Sequence, residues 1–251
     1  MIAFLRRIYR ITALLVWSTF LALVSIPWQL QGGWRRVSRI SRFVHYWNKG
    51  VARIVNLRVS VHGSIPDAQG GLVVSNHLSY IDIVAHGSVL PLRYSPKSEI
   101  AHWPLLGWFL GLSQPIWTNR ESKQASRKAL RDFAKTVKRG MYLIVYPEGT
   151  TTDGTRGILP FKSTSFEAAI TGKTQILPVI TRYKEVPGRQ TVCWHGEMTL
   201  LPHIWNVLAF SAIEVDLYFL KPVLPNGMSR KELAAHVRSL MLSEYKKIYT
   251  S

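Results

Sequence analysis

Residues 122–150 read SKQASRKALRDFAKTVKRGMYLIVYPEGT. Ala125, Ala129, Leu130, Phe133 and Val137 recur at helical spacing and form one apolar face, and Gly140 stops the helix. MYLIVYP (141–147) follows at once as a continuous apolar run, the pattern of a strand covered on both faces. A helix leading directly into a doubly buried strand is the building unit of an α/β domain.

The flanking sequence repeats the alternation. NLRVSVHG (56–63), GLVVSN (71–76), LRYSPK (92–97), PIWTN (115–119), QILPVITRY (175–183), QTVCWHGEM (190–198) and AIEVDLYFL (212–220) read as strands. IDIVAHGSVL (81–90) and residues 229–249 read as helices. Strands and helices interleave, so the class is α/β with a mostly buried sheet.

The chain has 251 residues, 47% apolar and 18% charged, which excludes a disordered protein and suits one domain with an appendage. A single cysteine, Cys193, excludes an internal disulfide framework and a Cys-rich zinc site. The net charge is +18 and unevenly placed. Residues 1–60 hold nine arginines, one lysine and no acid; the first carboxylate is Asp67. Such a block suits an anionic polymer or an anionic membrane.

The neighbouring apolar run favours the membrane. Ile11 to Trp34 carries no charge, and about 20 such residues span a hydrocarbon layer. Gln29, Gln31 and further arginines follow instead of a small-residue cleavage site. Basic residues flank both ends: Arg6, Arg7 and Arg10 before, Arg35, Arg36, Arg39 and Arg42 after. A simple span would put one cluster on the wrong side; a helix or hairpin dipping into one leaflet keeps both at one anionic surface. Ser25-Ile26-Pro27 and Gly32-Gly33 would let the hairpin turn, and Trp17, Trp28, Trp34 and Trp47 would anchor it at the interface. The expectation is a basic membrane-anchoring helical segment over 1–55 and a folded domain over 56–251, with a single span as the alternative. A nucleic-acid partner is not expected, because the charge flanks an apolar segment and no nucleic-acid motif is present.

Two segments carry chemistry. In VSNHLSYID (74–82) a strand ends and His77 is followed by Asp82. A five-residue offset turns about 140° on a helix, so the pair meets only if His77 lies in the turn before the helix start. An Asp on one ring nitrogen fixes the tautomer and raises the basicity of the other, so His77 would then be a general base with no serine or cysteine nucleophile; the other reading of these residues is a capping histidine beside a surface Asp. In YPEGTTTDG (146–154), at the end of the buried strand, Gly149 permits an unusual backbone and the threonines supply donors for an anion. Ser75 and Ser79 sit in no G-x-S-x-G elbow. His86, His102, His195 and His203 have no ligand spacing, and Cys193 reads as a small core residue.

These segments resemble the lysophospholipid acyltransferases related to 1-acyl-sn-glycerol-3-phosphate acyltransferase. Asn76-His77 and Asp82 match the NHxxxxD motif; Lys97-Ser98-Glu99, Pro104, Gly107, Gly111 and Arg120 resemble a second block ending in arginine. Tyr146-Pro147-Glu148-Gly149-Thr150 matches F-P-E-G-T, and Ile176-Leu177-Pro178-Val179 resembles V-P-V. The resemblance covers about residues 56–220. It implies a mixed α/β sheet flanked by helices, with a membrane-embedded N-terminal helix or hairpin, on the cytoplasmic face of the inner membrane. It implies transfer of an acyl group from acyl-coenzyme A or acyl carrier protein to a lysolipid hydroxyl, with no metal or resident cofactor. His77 and Asp82 would be catalytic; Arg120, Glu148, Gly149, Thr150 and Lys97 would bind substrate, Arg120 holding the acceptor phosphate. The acceptor implied first is 1-acyl-sn-glycerol-3-phosphate, giving phosphatidic acid. Where the family pattern reads E-G-T-R, however, this chain has Thr151. That departure resembles branches using lyso-ornithine lipid or lysophosphatidylcholine. A non-catalytic lipid-binding protein is the alternative of a different class.

Overall fold

A computed structural model describes residues 1–66, 70–104, 106–119, 122–185 and 191–250. Two long helices open the chain, α1 (Ile2–Gln29) and α2 (Gly33–Val55), turning at Leu30–Gly32 with Pro27 in the last turn of α1. Then follow β1 (Leu57–His62), β2 (Gly71–Ser75), α3 (Ile81–Val89), β3 (Leu92–Arg93) and α4 (Leu106–Leu112). After these come α5 (Lys123–Lys138), β4 (Tyr142–Val145), α6 (Glu167–Gly172), β5 (Ile176–Tyr183), α7 (Leu200–Val207), β6 (Ile213–Phe219) and α8 (Arg230–Thr250).

The six strands form one mixed sheet in the order β1-β6-β5-β2-β4-β3. Every pair is parallel except β5 with β6. The period-two alternation of buried strands splits the core. Val73, Ile144, Leu177 and Leu217 pack on α2 and α3 through Val51, Val55 and Ala85. Leu72, Val74, Leu143 and Ile180 pack the other way, on α5 (Phe133, Val137), α6 (Ala168) and α8 (Leu233, Val237, Met241). The hairpin and the α5–α6–α8 layer therefore cover opposite faces.

Two expected strands are absent. PIWTN (115–119) contributes an isolated bridge, Thr118 to Lys97. In the described part of 190–198 the alternation of Val192 and Trp194 is not a strand. The Trp194 N–H donates to the Leu78 carbonyl at 2.8 Å, Cys193 N–H donates to Thr191 Oγ1, and Gly196 turns the chain at φ +60. Cys193 is buried in that loop, and burial pushes its thiol up to about 12.

The hairpin is welded to the domain. Arg10, 3% exposed, donates from Nη1 to the carbonyls of Leu208 and Phe210 and from Nε to that of Ile54. Arg6 donates to Ala209, and Arg7 donates to Trp205 while lying 4.8 Å over its ring. The carbonyls of Trp205, Leu208, Ala209 and Phe210 lie in the last turn of α7 and just beyond it, where main-chain acceptors lack helical partners and the dipole favours cations. The first basic cluster, expected at a lipid surface, is thus taken up by protein. At its other end α1 donates from Gln29 Nε2 to the Leu112 carbonyl at 2.7 Å. In between, Trp17 lies against α2 so closely that a side chain at Gly50 would collide with the indole. The outward face of α1 stays apolar and bare, with Phe4, Leu5, Ile8, Leu15, Val16, Phe20 and Leu23 exposed. α1 is long and apolar enough to cross a membrane. Beside it, α2 exposes Arg35, Arg39, Arg42, Tyr46, Lys49 and Arg53, spaced three and four apart on one face.

Candidate active site

β2 ends at Ser75, and the chain must leave the sheet without orphaning main-chain groups. Asn76 solves this with its side chain. Nδ2 donates to the Thr181 carbonyl at 3.0 Å and Oδ1 accepts from the Thr181 N–H at 2.8 Å, imitating one more rung of the β2–β5 ladder. Only an amide offers both a donor and an acceptor in that geometry. The turn so fixed presents His77 just before α3.

His77 Nδ1 lies 2.8 Å from Asp82 Oδ2. The same oxygen accepts from the N–H groups of Leu78 (2.8 Å) and Ser79 (3.1 Å), and Oδ1 accepts from the Tyr183 hydroxyl at 2.6 Å. Asp82 is 0% exposed. Burial pushes its carboxyl up, but the His77 hydrogen bond, the charges of His77 and His86, and the Tyr183 hydroxyl outweigh it and hold it below the usual carboxylate range. The acid is thus ionised, the tautomer carries its proton on Nδ1, and Nε2 keeps a lone pair. The His77 side chain is 20% exposed and lines a cleft of about 900 Å³. Nε2 has no hydrogen-bond partner among the described residues.

Glu148 was expected to bind acceptor, yet it is buried and turns both oxygens to the main chain. Oε1 accepts from the His77 N–H at 2.9 Å and Oε2 from the Leu159 N–H at 3.0 Å. Burial raises its carboxyl, and the two N–H groups and the His77 charge oppose that rise. It braces the turn that carries His77. Gly149, at φ +75, and Thr150 do line the cleft, as does Lys97. Arg120 lies outside the described residues. The main-chain N–H groups of Thr150 and Thr151 donate to no described residue, whereas the Thr152 N–H ties this loop to the His77 carbonyl at 2.9 Å. From this polar end the cleft runs onto an apolar wall made by Ala129, Leu130 and Phe133 of α5 with Ile83 and Ile144. Lys162, Glu99 and His195 also line it.

A buried network beneath the site escaped the sequence reading. The Tyr146 ring stacks on His77 at 4.0 Å and 14°. Its hydroxyl lies 3.3 Å from His86 Nδ1, which is 2.7 Å from the Asp82 carbonyl oxygen. His86 Nδ1–H is shared between those acceptors, and Nε2 accepts from the Thr181 hydroxyl at 3.2 Å, itself 3.1 Å from Ser75 Oγ. The available signal was Tyr146 standing where the F-P-E-G-T pattern has phenylalanine: a buried phenol needs a partner.

A double-mutant cycle tests this. His86→Leu leaves the Tyr146 hydroxyl unpartnered, at about 1–3 kcal/mol, and kcat falls about tenfold through the misplaced stack on His77. Tyr146→Phe alone costs under about threefold, and the pair together recovers much of the His86→Leu loss. Additive losses in kcat would refute the coupling. Burial also lowers the His86 imidazole below its usual 6.5, with the Asp82 carboxylate opposing. A depressed group contributes fully above its unfolded value. Below about 6.5 the unfolded chain binds a proton that the folded one refuses, so stability declines as pH falls. The double variant loses that part of the decline.

A profile of the Acyltransferase family matches residues 58–182. The chain is 31% identical to the lyso-ornithine lipid O-acyltransferase of Brucella abortus (strain 2308), over 94% of each protein. It is 29% identical to the 1-acyl-sn-glycerol-3-phosphate acyltransferase of Neisseria gonorrhoeae, over 71% of each. The crystal structure of the 1-acyl-sn-glycerophosphate acyltransferase PlsC from Thermotoga maritima superposes with a TM-score of 0.69 at 22% identity, covering 99% of this chain and 96% of that one. At that identity the likeness speaks to the fold.

Proposed function

The chain belongs to the Acyltransferase family, and from that premise we propose that it esterifies the free hydroxyl of a lysolipid at a membrane surface. The observation that carries the reading is His77, held by an ionised Asp82, with Nε2 free at the head of a cleft that is polar at one end and apolar along its wall. Nε2 takes the proton of the acceptor hydroxyl as its oxygen attacks the thioester carbonyl carbon. Asp82 stabilises the imidazolium. Thr150 and Thr151 line the same cleft and their N–H groups donate to no described residue, so in this reading they take the oxyanion. Collapse breaks the C–S bond, and the leaving sulfur takes the proton from the His77 imidazolium, which releases the free thiol and restores the neutral base. No acyl-enzyme, metal or resident cofactor takes part. The donor is an acyl thioester of coenzyme A or of acyl carrier protein.

The favoured acceptor is lyso-ornithine lipid. Thr151 removes the arginine that would grip a phosphomonoester in a bidentate pair. The cleft lining carries both signs, Lys97 and Lys162 with Glu99, which suits a head group bearing an ammonium and a carboxylate. Similarity to the Brucella protein spans nearly the whole chain. 1-Acyl-sn-glycerol-3-phosphate is the second reading, supported by the Neisseria relative and by Arg120 as a phosphate partner. Attachment is monotopic: the exposed apolar face of α1 enters one leaflet, and the exposed cations of α2 meet anionic head groups. The catalytic domain then lies on the cytoplasmic face of the inner membrane.

Thiol release by detergent-purified protein from palmitoyl-coenzyme A tests the acceptor. Lyso-ornithine lipid is expected to give kcat/KM at least about tenfold above lysophosphatidic acid, and Thr151→Arg to narrow that ratio. Preference for lysophosphatidic acid would overturn the acceptor and keep the chemistry. Release that persists in His77→Ala would overturn the chemistry.

A further inference from the structure

We infer that the outer ridge of α5 is the docking surface for an acidic carrier protein that delivers the acyl chain as a thioester. The inference rests on the acyl-transfer reading and adds the partner that brings the donor.

The two sides of α5 have different neighbours. Ser126, Ala129, Leu130 and Phe133 wall the cleft. On the outer side Arg127, Lys128, Arg131, Lys135 and Lys138 are exposed. Lys128, Arg131, Lys135 and Lys138 follow one another at intervals of three and four, which stacks them along a single face. None forms an ion pair with a described carboxylate. Like charges so placed repel, and a partner of opposite charge removes that cost.

The position of the ridge selects the partner. The cations of α2 border the bare apolar face of α1, as a bilayer contact requires. α5 sits with α6 and α8 on the opposite face of the sheet. Its end nears the hairpin, where Arg139 lies 4.7 Å over the Trp34 ring, but the row itself is carried on the other face of the sheet, which suits a soluble acidic surface. From residue 127 to 138 the ridge runs about 16 Å at 1.5 Å per residue, enough for one side of an acidic helix and longer than the phosphates of a single nucleotide need. Docking there would set the carrier's thioester arm at a cleft whose wall is the same helix.

The test compares two donors of one acyl group, palmitoyl-(acyl carrier protein) and palmitoyl-coenzyme A. In the combined variant Lys128→Glu, Arg131→Glu, Lys135→Glu, kcat/KM for the carrier-protein donor is expected to fall about tenfold or more, while the coenzyme A donor changes by under about twofold. The rate with the carrier-protein donor should fall as salt rises in the unaltered enzyme, with a flatter response in the variant. Phosphatidylglycerol vesicles should bind both proteins equally. The three glutamine substitutions serve if the charge reversal fails to fold. Equal losses with both donors, or a loss of vesicle binding, would overturn the proposal; the latter would make the ridge a lipid contact. No transfer from either donor by the unaltered enzyme would overturn the acyl-transfer reading. Direct binding of the carrier protein then decides the ridge: salt-sensitive binding lost in the variant upholds it, and no binding overturns it.

Discussion

Replacing His77 with alanine is expected to lower thiol release by about 10³-fold or more, with the protein still folded. In the proposed mechanism His77 is the base: it lines the cleft while its Nδ1 is committed to Asp82. Its ring adds to the fold one hydrogen bond and the stack on Tyr146. The turn itself is held by main-chain bonds that survive truncation: the His77 N–H to Glu148 and the Thr152 N–H to the His77 carbonyl. The unfolding midpoint should therefore move little while the rate collapses. His77→Gln, of similar size and without a basic nitrogen, should be as inactive as alanine. A glutamine variant retaining a tenth of the activity would remove His77 from the mechanism.

Asp82→Asn is expected to cost about 10³- to 10⁴-fold in kcat and far less in stability. The amide oxygen still accepts from Leu78, Ser79 and His77, and the amide nitrogen donates to the Tyr183 hydroxyl, which turns to accept. What disappears is the charge that stabilises the imidazolium. Asp82→Ala differs, because it strands two main-chain N–H groups and the Tyr183 hydroxyl, each at about 1–3 kcal/mol. Equal destabilisation of the two variants would contradict the hydrogen-bond assignment. Acid adds a second readout. The folded carboxyl is held below its usual value of 3.8, so its contribution to stability is complete above that value and is lost as pH falls further. The asparagine variant should lack this part of acid unfolding.

Why some of this was legible in sequence is a matter of range. His77 and Asp82 lie five residues apart, and a strand-to-helix junction is a local event that spacing can announce. The helix over 123–138 and the strand after it were equally plain, because a one-sided apolar stripe and an unbroken apolar run each have few other uses. Tyr183 and Thr181 reach the site from another strand, about a hundred residues on. Their arrival depends on β5 lying beside β2, an order that no periodicity encodes. Glu148 was read as a ligand-binding carboxylate, whereas its partners are N–H groups that any residue carries. Arg10 misled for a related reason: its acceptors are carbonyls near residue 208 and beyond, and only the folded chain shows that a guanidinium is buried there.

The attachment of α1 at both ends has a kinetic meaning. With Arg10 fixed beyond α7 and Gln29 fixed to Leu112, the hairpin is tied at both ends between its exposed apolar side and the cleft. On the proposed monotopic attachment, His77 would stand at one set height above the leaflet that the apolar face enters. The acceptor then reaches the base by lateral diffusion, as a two-dimensional solute. Turnover follows the mole fraction of lysolipid in the surface rather than its amount per volume, so inert lipid slows the enzyme by surface dilution even when the total acceptor is unchanged.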